Sequence, residues 1–102
     1  MENEQRLKSM LGLAYKGRNL AAGTEMCKKA VFDGRAKLVL LSTDCSDNTK
    51  KLFNDKCAHR GIPVAIYGNR EFLGSAVGKS ERAVLAVLDE GFFKKIVKLI
   101  GS

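Results

Sequence analysis

The chain has 102 residues, 45% of them hydrophobic and 28% charged, with a formal net charge of +7. This is the size of one domain, residues 1–102, with its own core and no room for a separate catalytic domain. Three cysteines without a C-x-x-C pair and one histidine argue against a metal site, so free thiols in a reducing cytosol are expected. No apolar run approaches ~18 residues and the N-terminus is polar, which predicts a cytoplasmic protein that is neither exported nor membrane-spanning.

The basic charge favours an acidic partner, and nucleic acid is the commonest one. The excess of positive charge is concentrated in the segment from Lys16 to Lys37, which contains six basic and two acidic residues. The acidic residues are Glu25 and Asp33, and the basic residues are Lys16, Arg18, Lys28, Lys29, Arg35 and Lys37.

The chain is predicted to begin with an amphipathic helix over Asn3–Ala14, in which apolar residues recur at helical spacing and Asn3 acts as a cap. A basic turn over residues 16–19 follows, and Leu20–Ala22 is a short strand candidate.

The next segment, from Gly23 to Gly34, predicts a short helix with Thr24 as its N-cap and Gly34 as its end. Small apolar side chains fall on one face of this helix and cations on the other. Free backbone N–H groups and a positive dipole end lie near Lys28 and Lys29, which suits a polyanion such as a phosphodiester backbone. The alternative is that both lysines are ordinary solvated residues of an amphipathic helix.

Three apolar runs, at residues 38–41, 64–66 and 84–87, predict central strands that are buried on both faces. A helix ending at Gly61 lies between the first two, with Asp44, Ser46 and Asp47 competing as its cap. Asn69 is predicted to cap a shorter helix, and a polar loop separates that helix from the third run. Phe92 and the apolar residues after it mark a final helix. The alternation of helices and strands predicts an α/β protein with an α/β/α sandwich.

No catalytic constellation is found in the sequence. Residues 74–80 invite comparison with a phosphate-binding loop, but three residues, not four, separate Gly74 from Gly78. The segment also follows a predicted helix and precedes a strand, which is the wrong order for such a loop. Cys57 and His59 lie two positions apart on a helix and therefore face apart. We expect a protein that is not an enzyme and needs no cofactor.

The ordered string of residues resembles the kink-turn-binding ribosomal proteins of the L7Ae and L30e type, and among them the small bacterial YlxQ-like members. The resemblance runs from about Leu20 to the final helix. Its pieces are individually weak, but their order and spacing are specific. They are Gly23-Thr24, Lys29-Ala30-Val31, Gly34, Ala36-Lys37-Leu38-Val39, Asp44, Cys57, Ile62-Pro63, Glu71-Phe72-Leu73-Gly74 and Ala83-Val84.

The resemblance implies a four-stranded mixed sheet in a three-layer sandwich, and binding to a sharply bent RNA internal loop. It places Lys29 against a guanine, whose O6 and N7 acceptors suit a lysine. It also places residues 77–82 over an extruded nucleotide. The residues predicted to bind RNA are Arg18, Gly23, Thr24, Glu25, Met26, Lys28, Lys29, Lys37, Val77, Gly78, Lys79, Ser80, Glu81 and Arg82.

Two departures from the family pattern bear on RNA choice. Glu25-Met26 stands where relatives usually carry Asn-Glu or Lys-Gln, and Met26 supplies no comparable donor or acceptor. The loop of residues 77–82 is polar where relatives are usually apolar.

The leading interpretation is an RNA-binding protein, a monomer, that recognises a kink-turn or related bent element on ribosomal or other structured RNA. The alternative is a protein-interaction module on the same fold, with Phe32 as an exposed anchor unless it folds back on the sheet.

Overall fold

The computed structural model describes residues 2–101. These residues form five helices and four strands in an alternating order. The elements are α1 (Glu2–Lys16), β1 (Leu20–Ala22), α2 (Thr24–Phe32), β2 (Leu38–Leu41), α3 (Asp47–Arg60), β3 (Val64–Ile66), α4 (Arg70–Ala76), β4 (Val84–Val87) and α5 (Glu90–Ile100).

The four strands make one mixed sheet in the order β1-β4-β2-β3. β4 is antiparallel to both β1 and β2, whereas β2 and β3 are parallel. The four-stranded mixed sheet that was expected is confirmed.

Helices cover both faces of the sheet because neighbouring residues of each strand point to opposite sides. Leu38 and Leu40 of β2 join a core cluster with α1, α4 and α5. Val39 and Leu41 join a second cluster with α2 and α3. The continuous apolar run of β2 is therefore buried on both sides, and the α/β/α sandwich is confirmed.

β3 corrects one expectation, because it is an edge strand and not a central one. It pairs with β2 on one side only, within residues 2–101. Val64 and Ala65 are half-buried and Ile66 is 52% exposed. β2 and β4, in contrast, lie inside the sheet and are buried throughout.

The caps of the helices are set by local side chains. Ser46 is the N-cap of α3, with its hydroxyl accepting from the Thr49 N–H at 3.1 Å, so Asp47 belongs to the helix. The carboxylate of Asp44 instead accepts a hydrogen bond from the N–H of Arg70, the first residue of α4, at 2.9 Å. The caps predicted at Asn69 and Gly61 are confirmed. Asn3, predicted as a cap, lies inside α1, which already includes Glu2.

Candidate nucleic-acid interface

The start of α2 and the loop of residues 77–82 meet at one end of the sheet. β1 and β4 are antiparallel, with Ala22 opposite Leu85, so the end of β1 lies beside the start of β4. The N–H of Gly23 donates to the carbonyl of Val84 at 3.0 Å. A Cβ built on Gly23 would lie 3.8 Å from Cδ of Arg82. Two segments that are about fifty residues apart in sequence thus form one continuous surface.

α2 begins without a side-chain cap, which corrects the prediction of Thr24 as N-cap. Gly23 occupies that position with φ 93° and ψ 159°, and Thr24 is the first residue of the helix. The N–H of Cys27 donates to the carbonyl of Gly23 at 3.0 Å as the first helical bond. The N–H groups of residues 24–26 therefore precede the intrahelical bonds and are available to an anion at this end of the helix.

Cys27 fastens the inner face of α2 to the sheet. Its Sγ lies 3.4 Å from the carbonyl oxygen of Ala21 and 3.6 Å from that of Val84, and the residue is fully buried. Burial raises the pKa of the Cys27 thiol well above its usual range, and the neighbouring Cys57 raises it further. Cys27 is thus a neutral anchor that holds the start of α2 against β1 and β4.

The expectation of free thiols is confirmed, since Cys27, Cys45 and Cys57 are all free and buried. We expect native protein to react with a disulfide reagent such as DTNB only as fast as it unfolds, and all three thiols to react in urea. Rapid labelling of native protein would contradict the burial of these thiols.

Because the pKa of Cys27 is raised in the folded state, its contribution to stability is complete below the ordinary thiol pKa of about 8.5 and declines above it. Urea titrations between neutral and alkaline pH would measure this decline in stability.

The outward face of α2 carries four of the residues that were predicted to bind RNA: Glu25, Met26, Lys28 and Lys29. Glu25, Met26 and Lys29 are exposed, and Lys28 is half-buried. Nζ of Lys28 lies 3.7 Å from Oε1 of Glu25, an exposed pair of small energetic value. Lys29, unlike Lys28, makes no ion pair among the described residues. It is therefore the lysine of this helix that is readiest to contact a ligand.

The 77–82 loop is held against α4 by backbone contacts. The N–H of Lys79 donates to the carbonyl of Gly74 at 2.8 Å, and the N–H of Arg82 donates to that of Arg70 at 3.0 Å. Gly74 is packed so closely on the loop that an added Cβ would lie 2.0 Å from the carbonyl oxygen of Ser80. The loop is thus a fixed part of the surface.

The side chains of the 77–82 loop divide between core and surface. Val77 is buried and belongs to the core cluster of α1, α4 and α5, so its side chain does not line the surface predicted for it. Gly78, Lys79, Ser80 and Glu81 are exposed. The segment connects a helix to a strand, which agrees with rejecting a phosphate-binding loop there.

Arg18 and Lys37 lie at the other end of the sheet from Gly23. Arg18 precedes Leu20 and Lys37 precedes Leu38, and both of those strand residues are paired with Val87 at the far end of β4. The structure therefore does not bring Lys37 together with the start of α2. Arg18 has a left-handed backbone, with φ 63°, and lines a surface concavity with Met26 and Arg35.

Sequence reasoning missed two cations of α3 that face α2. Lys56 and Arg60 line a groove together with Lys28, Lys29 and Phe32. Their spacing of four residues places them on one face of α3, but no local pattern indicates that this face borders α2. Phe32 does not fold back on the sheet, since it is 73% exposed.

Other kinds of site find no support in the part of the chain that the structure describes. No group of three or more His, Cys, Asp or Glu residues in residues 2–101 could hold a metal ion. Over the same residues, no helix is both long and apolar enough to cross a membrane. His59 is an exposed residue in the last turn of α3, as expected.

Comparison with known proteins identifies relatives over nearly the whole chain. Residues 5–97 match the family described as ribosomal protein L7Ae/L30e/S12e/Gadd45. The RNA-binding protein YlxQ of Bacillus subtilis is 41% identical over 91 residues, which cover 89% of this chain and 91% of the relative.

Two solved structures share the fold. A Bacillus halodurans protein of unknown function superposes with a TM-score of 0.89 and 47% identity, over 94% of this chain and 97% of that chain. A 15.5-kD RNA-binding protein of Giardia lamblia superposes with a TM-score of 0.78 and 20% identity, over 99% of this chain and 87% of that chain. At that lower identity the likeness shows the fold alone.

Proposed function

Because the chain belongs to the ribosomal protein L7Ae/L30e/S12e/Gadd45 family, we propose that it is an RNA-binding protein that recognises a kink-turn or a related bent RNA. The whole chain, residues 1–102, acts as one domain and as a monomer, on ribosomal or other structured RNA of the cytoplasm. The Bacillus subtilis relative is named an RNA-binding protein, and that name and the family description support binding rather than catalysis.

The main observation in support of this proposal is that the N-terminus of α2 and the 77–82 loop lie side by side. The hydrogen bond from Gly23 to Val84 and the closeness of Arg82 to Gly23 join the two segments. Uncapped N–H groups, exposed cations and an ordered loop then share one surface. A bent RNA offers both phosphates to the helix end and an unstacked base to the loop, whereas a straight duplex offers only the phosphates.

The residues of the candidate site fall into two groups, those that contact bases and those that attract phosphates without regard to sequence. Lys29 is exposed and without an ion pair among the described residues, so it is free to donate to guanine O6 and N7. Glu25 accepts from a base amino group, whereas Met26, 56% exposed, offers only apolar contact. Arg18, Lys28 and Lys37 act as phosphate contacts, with Arg18 beside Met26 and Lys37 reaching a part of the RNA remote from the bend.

Substitution of Lys29 tests this division. Lys29→Ala should cost roughly 1–3 kcal/mol against a kink-turn RNA and little against a straight duplex, because only the bent RNA presents the guanine edge. Lys37→Ala is the matched control, since it removes one exposed lysine from the other end of the sheet. Lys37→Ala, Lys28→Ala and Arg18→Ala should weaken both RNAs similarly and reduce the salt slope by about one unit or slightly less.

The measurement is a titration of each variant against a panel of kink-turn RNAs and a straight duplex at several salt concentrations. Equal losses on both RNAs for all four variants would contradict recognition of a bent element. That result would favour the protein-interaction alternative, for which the exposed ring of Phe32 is the supporting observation.

A further inference from the structure

A groove of about 280 Å³ runs between the outer faces of α2 and α3. It begins beside Glu25 in the first turn of α2 and continues to Phe32, seven residues along the helix. At 1.5 Å per residue this is about 10 Å, a length that suits one or two nucleotides. The lining residues are Glu25, Lys28, Lys29, Phe32, Lys56 and Arg60.

The lining combines an exposed aromatic ring with fixed positive charge. Phe32 is 73% exposed, and the guanidinium carbon of Arg60 lies 5.6 Å from its ring centroid. Nη1 of Arg60 also donates to the carbonyl of Lys56 at 3.5 Å, which holds the guanidinium near the ring. One side of the ring is therefore covered by a cation, and much of the remainder is open to solvent.

The charge of the groove selects for an anionic occupant. Four cations line it against one carboxylate, and that carboxylate, on Glu25, already lies 3.7 Å from Lys28. A stacking ring among cations is the combination that single-stranded nucleic acids use, with bases on the aromatic face and phosphates beside the charges. An apolar peptide would bring no anionic group to these cations.

We propose that the α2–α3 groove binds an unpaired nucleotide of the RNA, with its base stacked on Phe32 and its phosphate between Lys28 and Lys56. The inference rests on the proposed function, because the groove starts at the helix end that receives the bent element. A single strand leaving that element continues along α2 into the groove. Arg60 supports the stacked base through its cation–π contact with the ring.

The test compares a blunt kink-turn RNA with the same RNA carrying a short single-stranded oligouridine extension. For the unsubstituted protein the extension should raise affinity by about fivefold or more. Phe32→Leu should abolish that gain and leave affinity for the blunt RNA unchanged, whereas Phe32→Tyr should keep the gain. Leu13→Ala is the matched control, since Leu13 is 59% exposed on the opposite layer. Because Phe32 is so exposed, these variants should fold like the parent, and thermal unfolding would verify this.

Failure of the two proposals can be told apart. A preference for bent RNA depends on Lys29, and the gain from the extension depends on Phe32. If blunt kink-turn RNA shows no preference over a duplex, titration with free oligouridine still tests the groove, and loss of that binding in Phe32→Leu would support it. An extension that gives no gain, or an equal gain in Phe32→Leu, would overturn the nucleotide assignment and leave Phe32 as an anchor for a protein partner.

Discussion

Replacing Gly74 by alanine is expected to lower the free energy of unfolding by about 3 kcal/mol, the upper end of the range for overpacking. The added Cβ would lie 2.0 Å from the carbonyl oxygen of Ser80, 2.7 Å from its carbonyl carbon and 2.9 Å from Cα of Glu81. All three atoms are backbone, so no side-chain rotation relieves the overlap. The 77–82 loop must move away from α4, and the hydrogen bond from Lys79 to the carbonyl of Gly74 is strained with it.

Urea denaturation measures the loss, with Gly101→Ala as its control. A Cβ on Gly101 would lie 3.4 Å from the carbonyl oxygen of Val97, an ordinary contact, and its φ of −79° suits alanine. The control should therefore keep or slightly raise stability. Displacement of the loop should also speed tryptic cleavage after Lys79 in Gly74→Ala. Unchanged stability together with unchanged cleavage would show that the loop does not pack on Gly74.

The parts of the fold that could be predicted from sequence are those fixed by local chemistry. Asn69 and Gly61 act through bonds and backbone angles within a few residues of themselves, so their roles were visible in the sequence. The inner face of α2 was visible for the same reason, since Cys27, Ala30 and Val31 recur at helical spacing and are buried. Local periodicity thus predicts elements and their buried faces.

Strand order depends on contacts between distant segments, and the edge position of β3 was missed for this reason. Its apolar run, Val64–Ile66, resembles that of the central strand β2, and the difference lies only in what neighbours each strand. The prediction of Thr24 as the N-cap of α2 was wrong for a different reason. Threonine is a good cap by type, but the backbone of Gly23, which decides the start of the helix, leaves no signal beyond the presence of a glycine.

The candidate site was predicted in composition but not in layout. The sequence indicated that α2 is basic, and the family resemblance indicated the 77–82 loop. Neither of them indicated that a side chain at position 74 would clash with the 77–82 loop, or that Lys56 and Arg60 lie beside Phe32. Each of these features depends on contact between two segments that the sequence does not show to be neighbours.

The second large effect is expected at Gly23, where alanine should lower the free energy of unfolding by about 2–3 kcal/mol. The cost arises from the backbone and not from crowding. With φ 93° and ψ 159° the residue occupies a region that is essentially restricted to glycine. An added Cβ would meet only Cδ and Nε of Arg82, at 3.8 and 3.9 Å, which are ordinary contacts. To relax, the chain must rotate at residue 23 and carry the start of α2 away from the 77–82 loop.

Gly61 provides the matched comparison, since it also has a positive φ, 69° with ψ 26°, and an added Cβ there meets nothing within 4 Å. That conformation is the ordinary left-handed one, which asparagine adopts readily, so Gly61→Asn should recover much of the loss caused by Gly61→Ala. Gly23→Asn should recover little, because the backbone of Gly23 lies outside the left-handed helical region. Measured below the unfolding transition, Gly23→Ala should also lose preference for kink-turn RNA, whereas Gly61→Ala should keep it. Equal recovery by asparagine at both positions would show that Gly23 does not hold the backbone that presents the end of α2.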